Sequence, residues 1–253
     1  MLKRNLFNFG EIRKLRFIVI NIHQISTAMA NFTRIEVALK MGETGMVPVF
    51  DNTDADICKQ VMKACYDGGV RVFEFTNRND FALGVFSELK QFALANLPGL
   101  MLGAGTVMDG YAAALFIDKG ADFIVSPIFN PEIAKTCNRR KILWIPGCGS
   151  VTEIGDAEEL GAEIVKIFPA KQGGGPDFIA SVKPAMKHSS IMPTGGVDTT
   201  EENLGKWFKA GAYCVGMGSK LIPAGTIEKN DFAGLANTVR ETLAIIKKLR
   251  QHD

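Results

Sequence analysis

The sequence lacks the features that mark membrane proteins, nucleic-acid-binding proteins and metalloenzymes. Its 29 Lys and Arg nearly balance its 27 Asp and Glu, so neither nucleic acid nor a membrane surface is an expected partner. No apolar run approaches the roughly 18 residues that cross a bilayer. The three histidines fall outside the predicted strand ends, which leaves a histidine metal cluster and a Ser-His-Asp triad unsupported. We therefore expect no metal and no other cofactor.

The chain also has few cysteines, and these suggest no shared site. There are five, an odd number, without CxxC spacing. Scattered cysteines in mostly apolar surroundings are typical of reduced thiols, which predicts a cytoplasmic protein. Cys148 lies close to a predicted strand end and could be a nucleophile. A small buried side chain is the commoner role of such a cysteine.

The first 28 residues differ from the rest of the 253-residue chain. The apolar run Arg16–Ile22 has a basic flank, and Ala28-Met-Ala30 resembles a cleavage site, so a signal peptide is one interpretation. The apolar core is short and Glu11 precedes it, which favours the other interpretation: residues 1–28 are an upstream extension and Met29 is the functional initiator. Residues 29–253 then form a single domain of ordinary size.

Short apolar, β-rich runs recur along that domain, separated by segments long enough for one helix each. They are Met46–Phe50, Val70–Thr76, Leu102–Val107, Phe123–Pro127, Leu143–Cys148, Ile164–Phe168, Ile191–Thr194 and Tyr213–Gly216. Continuous apolarity suits parallel strands covered by helices. Eight such units predict an α/β fold, a TIM (β/α)8 barrel. An open doubly wound sheet is the alternative, but neither GxGxxG nor GxxxxGK follows an early strand.

Helix boundaries are marked by capping signals. Thr33–Glu36 and Ser150–Glu153 are capping boxes, and Asn130-Pro131 places an N-cap before a first-turn proline. The first of these predicts an additional N-terminal helix ahead of the first strand. Asp231–Arg250 has the pattern of a terminal amphipathic helix. Glycines that match left-handed helix ends precede four strands: Gly68-Gly69, Gly120, Gly161 and Gly211.

Ionisable side chains occupy the ends of the second and sixth runs, where barrel enzymes place their chemistry. With a side-chain period of two, Glu74, Thr76 and Arg78 share one face, and the phenylalanines between them face the helices. By the same parity Lys166 points inward with Phe168.

Lys166 has two interpretations, which spacing alone does not separate. A charged lysine in an apolar run is costly unless it is paired or neutral. It could form a structural ion pair with Glu74 or extend outward to solvent. Alternatively, burial and the nearby Arg78 cation favour the neutral amine, a nucleophile that attacks ketones. Glu74 alone fits a structural partner equally well, and Arg78 alone would more often be a surface residue.

Glycine-rich strand ends add an independent signal. Barrels commonly bind phosphate after strands seven and eight, where glycine leaves main-chain amides unobstructed. The candidates are Thr194, Gly195, Gly196, Gly218 and Ser219. The alternative is that these glycines only make tight turns. The third run ends Gly103-Ala-Gly105-Thr106, with two glycines that leave room beside a hydroxyl.

Six ordered motifs together carry a family resemblance. They are Met46-Val-Pro-Val-Phe50, Glu74-x-Thr76-x-Arg78, Gly103-Ala-Gly-Thr-Val107, Ile145-Pro-Gly147, Val165-Lys-Ile-Phe-Pro-Ala170 and Pro193-Thr-Gly-Gly-Val197. Through them the chain from about Arg34 to Pro223 resembles the family of aldolases for 2-dehydro-3-deoxy-6-phosphogluconate (KDPG) and 4-hydroxy-2-oxoglutarate (KHG).

The resemblance implies a class I aldolase that works without a metal. It implies that Lys166 forms the Schiff base with pyruvate and that Glu74 is the general acid/base. It further implies that Arg78 and Thr106 hold the pyruvate carboxylate. The substrate is then KDPG, cleaved to pyruvate and glyceraldehyde 3-phosphate, and/or KHG, cleaved to pyruvate and glyoxylate. Phe168 and the glycine-rich strand ends belong to the substrate site, and the family is typically a homotrimer of TIM barrels.

Departures from the family pattern leave the aldehyde half of the substrate open. Lys171 follows Phe-Pro-Ala where an acidic or small residue is frequent, and Asn79 follows Arg78 where threonine or serine is common. A related phosphogalactonate or an unphosphorylated hydroxy-keto acid is the nearest alternative. A sugar-phosphate isomerase or epimerase would share the barrel without a trappable lysine, and a non-catalytic phosphosugar-binding barrel would bind without turnover.

Overall fold

The computed structural model of the chain describes residues 31–251. The predictions for residues 1–28 and for an initiator at Met29 lie outside the described residues. Within that range, strands and helices alternate. The strands are β1 (Met46–Phe50), β2 (Val72–Thr76), β3 (Met101–Gly105), β4 (Phe123–Val125), β5 (Leu143–Ile145), β6 (Gly147–Cys148), β7 (Val165–Ile167), β8 (Ile191–Pro193) and β9 (Val215–Met217). The helices are α1 (Arg34–Thr44), α2 (Ala55–Asp67), α3 (Ala82–Asn96), α4 (Gly110–Asp118), α5 (Pro131–Arg140), α6 (Val151–Glu159), α7 (Gly175–Val182), α8 (Glu201–Lys209), α9 (Ala224–Glu228) and α10 (Phe232–Leu249).

The strands pair in parallel along two stretches of sheet. One has the order β5-β4-β3-β2-β1-β9 and the other β6-β7-β8. A single bridge between Thr194 and Gly216 links the ends of β8 and β9. Only Pro146, which has no N–H to donate, separates β5 from β6. The predicted α/β class with parallel strands is confirmed as a curled parallel sheet, and the predicted run Leu143–Cys148 is two short strands rather than one.

Two of the predicted capping signals form much as the sequence indicates. Thr33 Oγ1 accepts from the Glu36 N–H at 3.2 Å, and Glu36 Oε2 accepts from the Thr33 N–H at 2.7 Å, so the box that begins α1 is complete. Ser150 Oγ accepts from the Glu153 N–H at 3.2 Å. The returning carboxylate of Glu153 instead accepts from the Gly149 N–H at 2.8 Å, one residue earlier than the predicted box requires.

Other helix ends agree with the predictions. Asn130 caps α5 through the N–H of Glu132, with Pro131 in the first turn. Asp231 caps α10 through the N–H of Gly234. The glycines that close helices before strands adopt left-handed backbone angles between +85° and +114°: Gly69, Gly120, Gly161 and Gly211.

The inward-facing residues at the N-terminal ends of the strands form one buried cluster, which α1 covers. Val37 and Met41, one turn apart on α1, are fully buried against it. Val47, Val72 and Phe123 belong to the same cluster. Burial of each such α1 side chain stabilises the fold by roughly 1.5–3 kcal/mol. The N-terminal ends of the strands are therefore closed by apolar packing, which leaves polar groups to the C-terminal ends.

The outward-facing strand residues pack against the surrounding helices in a second cluster. Phe73 and Phe75 of β2 lie in it, as the period of two predicts. Phe75 contacts Phe86 of α3 with ring centroids 6.3 Å apart, and Phe86 meets Phe116 of α4 edge to face at 5.2 Å. Because these phenylalanines face outward, Glu74 between them must face the interior.

Candidate active site

A lysine and a glutamate meet inside the curled sheet. Lys166 on β7 and Glu74 on β2 are both buried, with 5% and 0% of their side chains exposed. Lys166 Nζ lies 3.6 Å from Glu74 Oε1, which is an ion-pair distance but too long for a direct hydrogen bond. Among the described residues neither carboxylate oxygen of Glu74 has a hydrogen-bond partner. The amine and the carboxylate can therefore both bond the same reacting molecule.

Glycine at the end of β3 makes room for this carboxylate. Thr76 of β2 lies beside Gly105 in the parallel register. A Cβ atom at Gly105 would stand 1.9 Å from Glu74 Oε1. Any side chain there would displace the glutamate, so the predicted space beside the third strand is used by Glu74.

Arg78 and Thr106 come together just beyond the ends of β2 and β3. Arg78 Nε donates to Thr106 Oγ1 at 3.3 Å, and about half of the arginine side chain, 51%, is exposed. Thr106 has a φ of +55°, which is costly for a β-branched residue and is characteristic of functional positions. The pair offers a guanidinium and a hydroxyl at one place, a combination suited to a carboxylate.

Asp51 also belongs to this group, although it was not among the predicted site residues. It follows β1 directly, and its carboxylate accepts from Thr76 Oγ1 at 2.7 Å and from Asn79 Nδ2 at 2.9 Å. Arg78 Nη1 lies 3.5 Å from Asp51 Oδ1. The signal in the sequence is the polar pair Asp51-Asn52, which follows the apolar run of the first strand directly.

A cavity of about 610 Å³ opens at the C-terminal ends of β1, β7, β8 and β9. Arg78 and Phe168 line it, and Lys166 adjoins it because its Nζ lies 5.2 Å from the centroid of the Phe168 ring. The predicted substrate residues in its wall are Thr194, Gly195, Gly196, Gly218 and Ser219. Lys220 and Glu228 line it as well and were not predicted. The amine therefore lies next to the cavity that the glycine loops line.

The glycine loops are closely fitted to their neighbours. Gly195 and Gly196 have φ values of +98° and +85°. A Cβ at Gly196 would come within 2.4 Å of the Cβ of Lys171, and the Lys171 N–H donates to the Gly195 carbonyl at 3.0 Å. A Cβ at Gly216 would lie 2.2 Å from Thr194 Oγ1. These loops therefore tolerate only glycine at the points where the ends of β7, β8 and β9 approach each other.

Cys148 lacks the properties of a nucleophile. Its side chain is buried, and burial raises the pKa of its thiol to about 12. The thiol donates weakly to the Glu153 carbonyl at 3.5 Å. The interpretation of Cys148 as a small buried side chain is the one that the structure supports.

Residues 31–251 contain neither a group of potential metal ligands nor a membrane-spanning helix. There, no three His, Cys, Asp or Glu side chains gather as metal ligands. In the same range, none of the helices combines the length and apolarity needed to cross a membrane.

Comparison with known proteins gives a consistent result. Residues 35–238 match the family described as KDPG and KHG aldolase. The 2-dehydro-3-deoxy-phosphogluconate aldolase of Haemophilus influenzae is 30% identical over 217 residues, which cover 86% of this chain and all of that protein.

Solved structures agree with the sequence comparison. The KDPG aldolase of Zymomonas mobilis is 27% identical, with a TM-score of 0.72, over 83% of this chain and 97% of that one. The KDPG aldolase of Legionella pneumophila, solved with pyruvate captured as a covalent carbinolamine, has the same fold. Its TM-score is 0.73 at 23% identity, over 81% of this chain and 97% of that one.

Proposed function

The chain belongs to the KDPG and KHG aldolase family and is an aldolase, a carbon–carbon lyase; from that membership we propose that Lys166 carries its Schiff base. One observation carries the proposal. The Lys166 amine is buried 3.6 Å from the buried Glu74 carboxylate and adjoins the cavity through Phe168. A surface lysine could not combine a dry environment, a proton-transfer partner and access to substrate in this way.

The reaction is reversible aldol cleavage of KDPG to pyruvate and glyceraldehyde 3-phosphate, and/or of KHG to pyruvate and glyoxylate, a step of carbohydrate metabolism of the Entner–Doudoroff type. The neutral Lys166 amine adds to the C2 ketone, and the carbinolamine loses water to give an iminium. As the C4 hydroxyl loses its proton, the C3–C4 electron pair moves into the iminium and the aldehyde leaves. The remaining enamine takes a proton at C3. Water then hydrolyses the iminium, which releases pyruvate and restores the amine.

We assign the proton transfers to Glu74. Its carboxylate lies beside the nitrogen at which the carbinolamine forms, and it is fully buried. It can protonate the departing carbinolamine hydroxyl and take the proton of the C4 hydroxyl, directly or through one water. Glu74 alternates between acid and base over one cycle, so its charge is restored at the end.

We assign the pyruvate carboxylate to Arg78 and Thr106. The Arg78–Thr106 hydrogen bond joins the two groups at the ends of β2 and β3. Glu74 lies on β2, and Gly105 of β3 leaves room for its carboxylate. The planar guanidinium can donate two parallel hydrogen bonds to a carboxylate, which a lysine could not copy. These hydrogen bonds to the carboxylate fix the position of the C2 ketone relative to Lys166.

The far end of the cavity suits the aldehyde half of the substrate. We propose that main-chain amides and one hydroxyl at the glycine loops hold its phosphate: Gly195, Gly196, Gly218 and Ser219, with Thr194 and Phe168 beside them. Lys220 adds a positive charge there. Asp51 and Glu228 place two carboxylates in the same cavity, and these favour the second candidate substrate, an unphosphorylated hydroxy-keto acid. A related phosphogalactonate carries the same phosphate as KDPG, so these carboxylates do not favour it over KDPG.

For the fold we infer a closed (β/α)8 barrel with an additional N-terminal helix, α1. The Thr194–Gly216 bridge supports contact between β8 and β9, and β9 pairs with β1. At the other junction β5 continues through Pro146 into β6, and the Pro146 carbonyl accepts from the Lys166 N–H at 2.8 Å. With β5 and β6 counted as one strand, eight strands follow one another around the barrel.

For the assembly we propose a homotrimer in the cytoplasm. Large apolar side chains are exposed on the loops and first helical turns that follow successive strands at the C-terminal rim: Phe81, Met108, Tyr111, Ile128 and Val151. Phe81 and Tyr111 are 90% and 88% exposed, and a cluster of this kind supports contact with another subunit. The five cysteines are buried free thiols, which supports a reducing compartment.

Release of pyruvate tests the proposed function. Lactate dehydrogenase and NADH would report cleavage of KDPG and of KHG, both with EDTA present. We expect activity on at least one of them, and loss of that activity in Lys166→Arg, because a guanidinium cannot form the imine. Lys209→Arg, at an exposed lysine of α8, is the matched control and should retain full activity. An active Lys166→Arg protein would exclude a Schiff base at Lys166.

A further inference from the structure

Asp51 is held more firmly than a surface carboxylate needs to be. It lies directly beyond β1, which pairs with β2 on one side and β9 on the other. Oδ1 accepts from Thr76 Oγ1 at 2.7 Å and Oδ2 accepts from Asn79 Nδ2 at 2.9 Å. Thr76 is completely buried, and 22% of the Asp51 side chain is exposed. Both oxygens are thus tied to the end of β2, and the carboxylate has a fixed direction.

Arg78, by contrast, is long and 51% exposed. An arginine in that setting samples many rotamers, and one exposed ion pair stabilises it little. Here two fixed groups hold its guanidinium: Asp51 Oδ1 lies 3.5 Å from Nη1, and Thr106 Oγ1 lies 3.3 Å from Nε. Two contacts at different nitrogens set the plane of the guanidinium, which a single contact could not do.

We propose that Asp51 is a positioning residue for Arg78, and that it orients the guanidinium so that its remaining N–H groups face the substrate carboxylate. The inference rests on the proposed function, in which Arg78 binds pyruvate. The proposed role of Asp51 also explains the position of Asn79. The Asn79 amide donates to Asp51 Oδ2, whereas Thr76 bonds Oδ1, so the residue after Arg78 belongs to the same network.

Two other roles for Asp51 predict different behaviour. If Asp51 only anchored the loop after β1, its loss would lower stability and activity whether or not Arg78 were present. If its negative charge mainly opposed the substrate carboxylate, removing the charge would tighten binding. Positioning through Arg78 instead requires that the effect of Asp51 disappear when Arg78 is gone.

The experiment is a double-mutant cycle. Asp51→Ala and Asp51→Asn are made in the wild-type and Arg78→Ala backgrounds. The readouts are KM and kcat for cleavage, and the pyruvate concentration that half-saturates borohydride trapping. In the wild-type background Asp51→Ala should raise both KM and that concentration roughly 10-fold, the scale of a lost charged hydrogen bond. The kcat should change less than about 3-fold, because ground-state and transition-state binding weaken together.

The second background and a matched variant complete the cycle. In Arg78→Ala, the further change Asp51→Ala should alter KM by less than about 2-fold. Asp51→Asn keeps an acceptor and should fall between the wild type and Asp51→Ala. Asp56→Asn removes a carboxylate on α2 that contacts only Lys59 among the described residues, and it should match the wild type.

The outcomes separate the inference from the function on which it rests. Equal losses from Asp51→Ala in both backgrounds, or a lower KM in Asp51→Asn, would overturn the positioning role while wild-type trapping stayed normal. A wild-type protein that pyruvate and borohydride fail to label would overturn the proposed function and this inference with it.

Discussion

At the scale of single residues, the proposed chemistry depends on the burial of Lys166 and Glu74 next to each other. A buried amine and a buried carboxylate held 3.6 Å apart would ordinarily be a structural ion pair. Such pairs are usually completed by further hydrogen bonds, whereas within residues 31–251 the Glu74 oxygens have none. An incompletely bonded pair beside a cavity is suited to reaction rather than to stability.

The general-base role of Glu74 can be tested without unfolding the protein. Glu74→Gln keeps the shape of the side chain but cannot accept a proton, so kcat should fall roughly 10²-fold or more. Circular dichroism and thermal unfolding would report the fold, and pyruvate release would report kcat. Glu163→Gln is the matched control, because Glu163 pairs with Arg34 at the entrance to β7. It should lose some stability and keep its kcat.

A purely structural Glu74 would give the reverse pattern. The Glu74→Gln protein would then unfold at a lower temperature, and each molecule that stayed folded would turn over substrate at the wild-type rate.

The phosphate assignment depends on Ser219 and can be tested with two substrates. Loss of a hydrogen bond to a charged group should lower kcat/KM for KDPG roughly 10- to 100-fold in Ser219→Ala. KHG has no phosphate, so its kcat/KM should barely change. Ser181→Ala removes a hydroxyl on α7 that bonds only the Asp177 carbonyl among the described residues, and it serves as the control. Equal losses for both substrates would show that the glycine loops are scaffolding.

At the scale of helices and strands, α1 closes the N-terminal ends of the sheet. Met41→Ala removes a fully buried side chain from the interior cluster, so it should lower the free energy of unfolding by about 2–5 kcal/mol. Leu39→Ala on the exposed side of the same helix, where Leu39 is 64% exposed, should cost less than about 1 kcal/mol. Urea unfolding of both variants gives the comparison. Similar losses of unfolding free energy in both variants would mean that the buried side of α1 does not hold the helix in place.

Element identity was readable from the sequence because continuous apolar runs and capping residues are local signals. The period of two was enough to place Glu74 and Lys166 on the interior face. The break of the fifth run was missed, because apolarity continues through Pro146 while the missing N–H interrupts the ladder. The Ser150 cap forms as predicted, but the Glu153 carboxylate accepts from the Gly149 N–H rather than from the Ser150 N–H, because the direction of that side chain depends on the loop that precedes α6.

The network around Asp51 could not be predicted in the same way. Its partners Thr76, Asn79 and Arg78 lie 25 or more residues away along the chain. Their approach depends on the register of β1 against β2, in which Val49 lies beside Glu74. Periodicity within one strand fixes the face of each side chain, but it does not distinguish registers that differ by two residues. A motif shows which residues face inward, and only the assembled sheet shows which of them meet.

At the scale of the whole molecule, the exposed apolar rim should determine the oligomeric state. Phe81→Asp places a charge on a side chain that is 90% exposed in the single chain. If the rim forms the interface, the variant should sediment as a monomer at micromolar concentrations, because a buried unpaired charge opposes association. Leu94→Asp, at an exposed residue of α3 away from that rim, should sediment like the wild type. Identical sedimentation of all three proteins would place the interface elsewhere or exclude one.

The central claim is the covalent bond between pyruvate and one lysine. The protein is incubated with pyruvate and sodium borohydride in the presence of EDTA, digested, and its peptides are mapped by mass spectrometry. We expect a single reduced pyruvyl adduct at Lys166, reduced labelling in Arg78→Ala and none in Lys166→Arg. An adduct at Lys171 instead, or an active enzyme that carries no adduct, would contradict it.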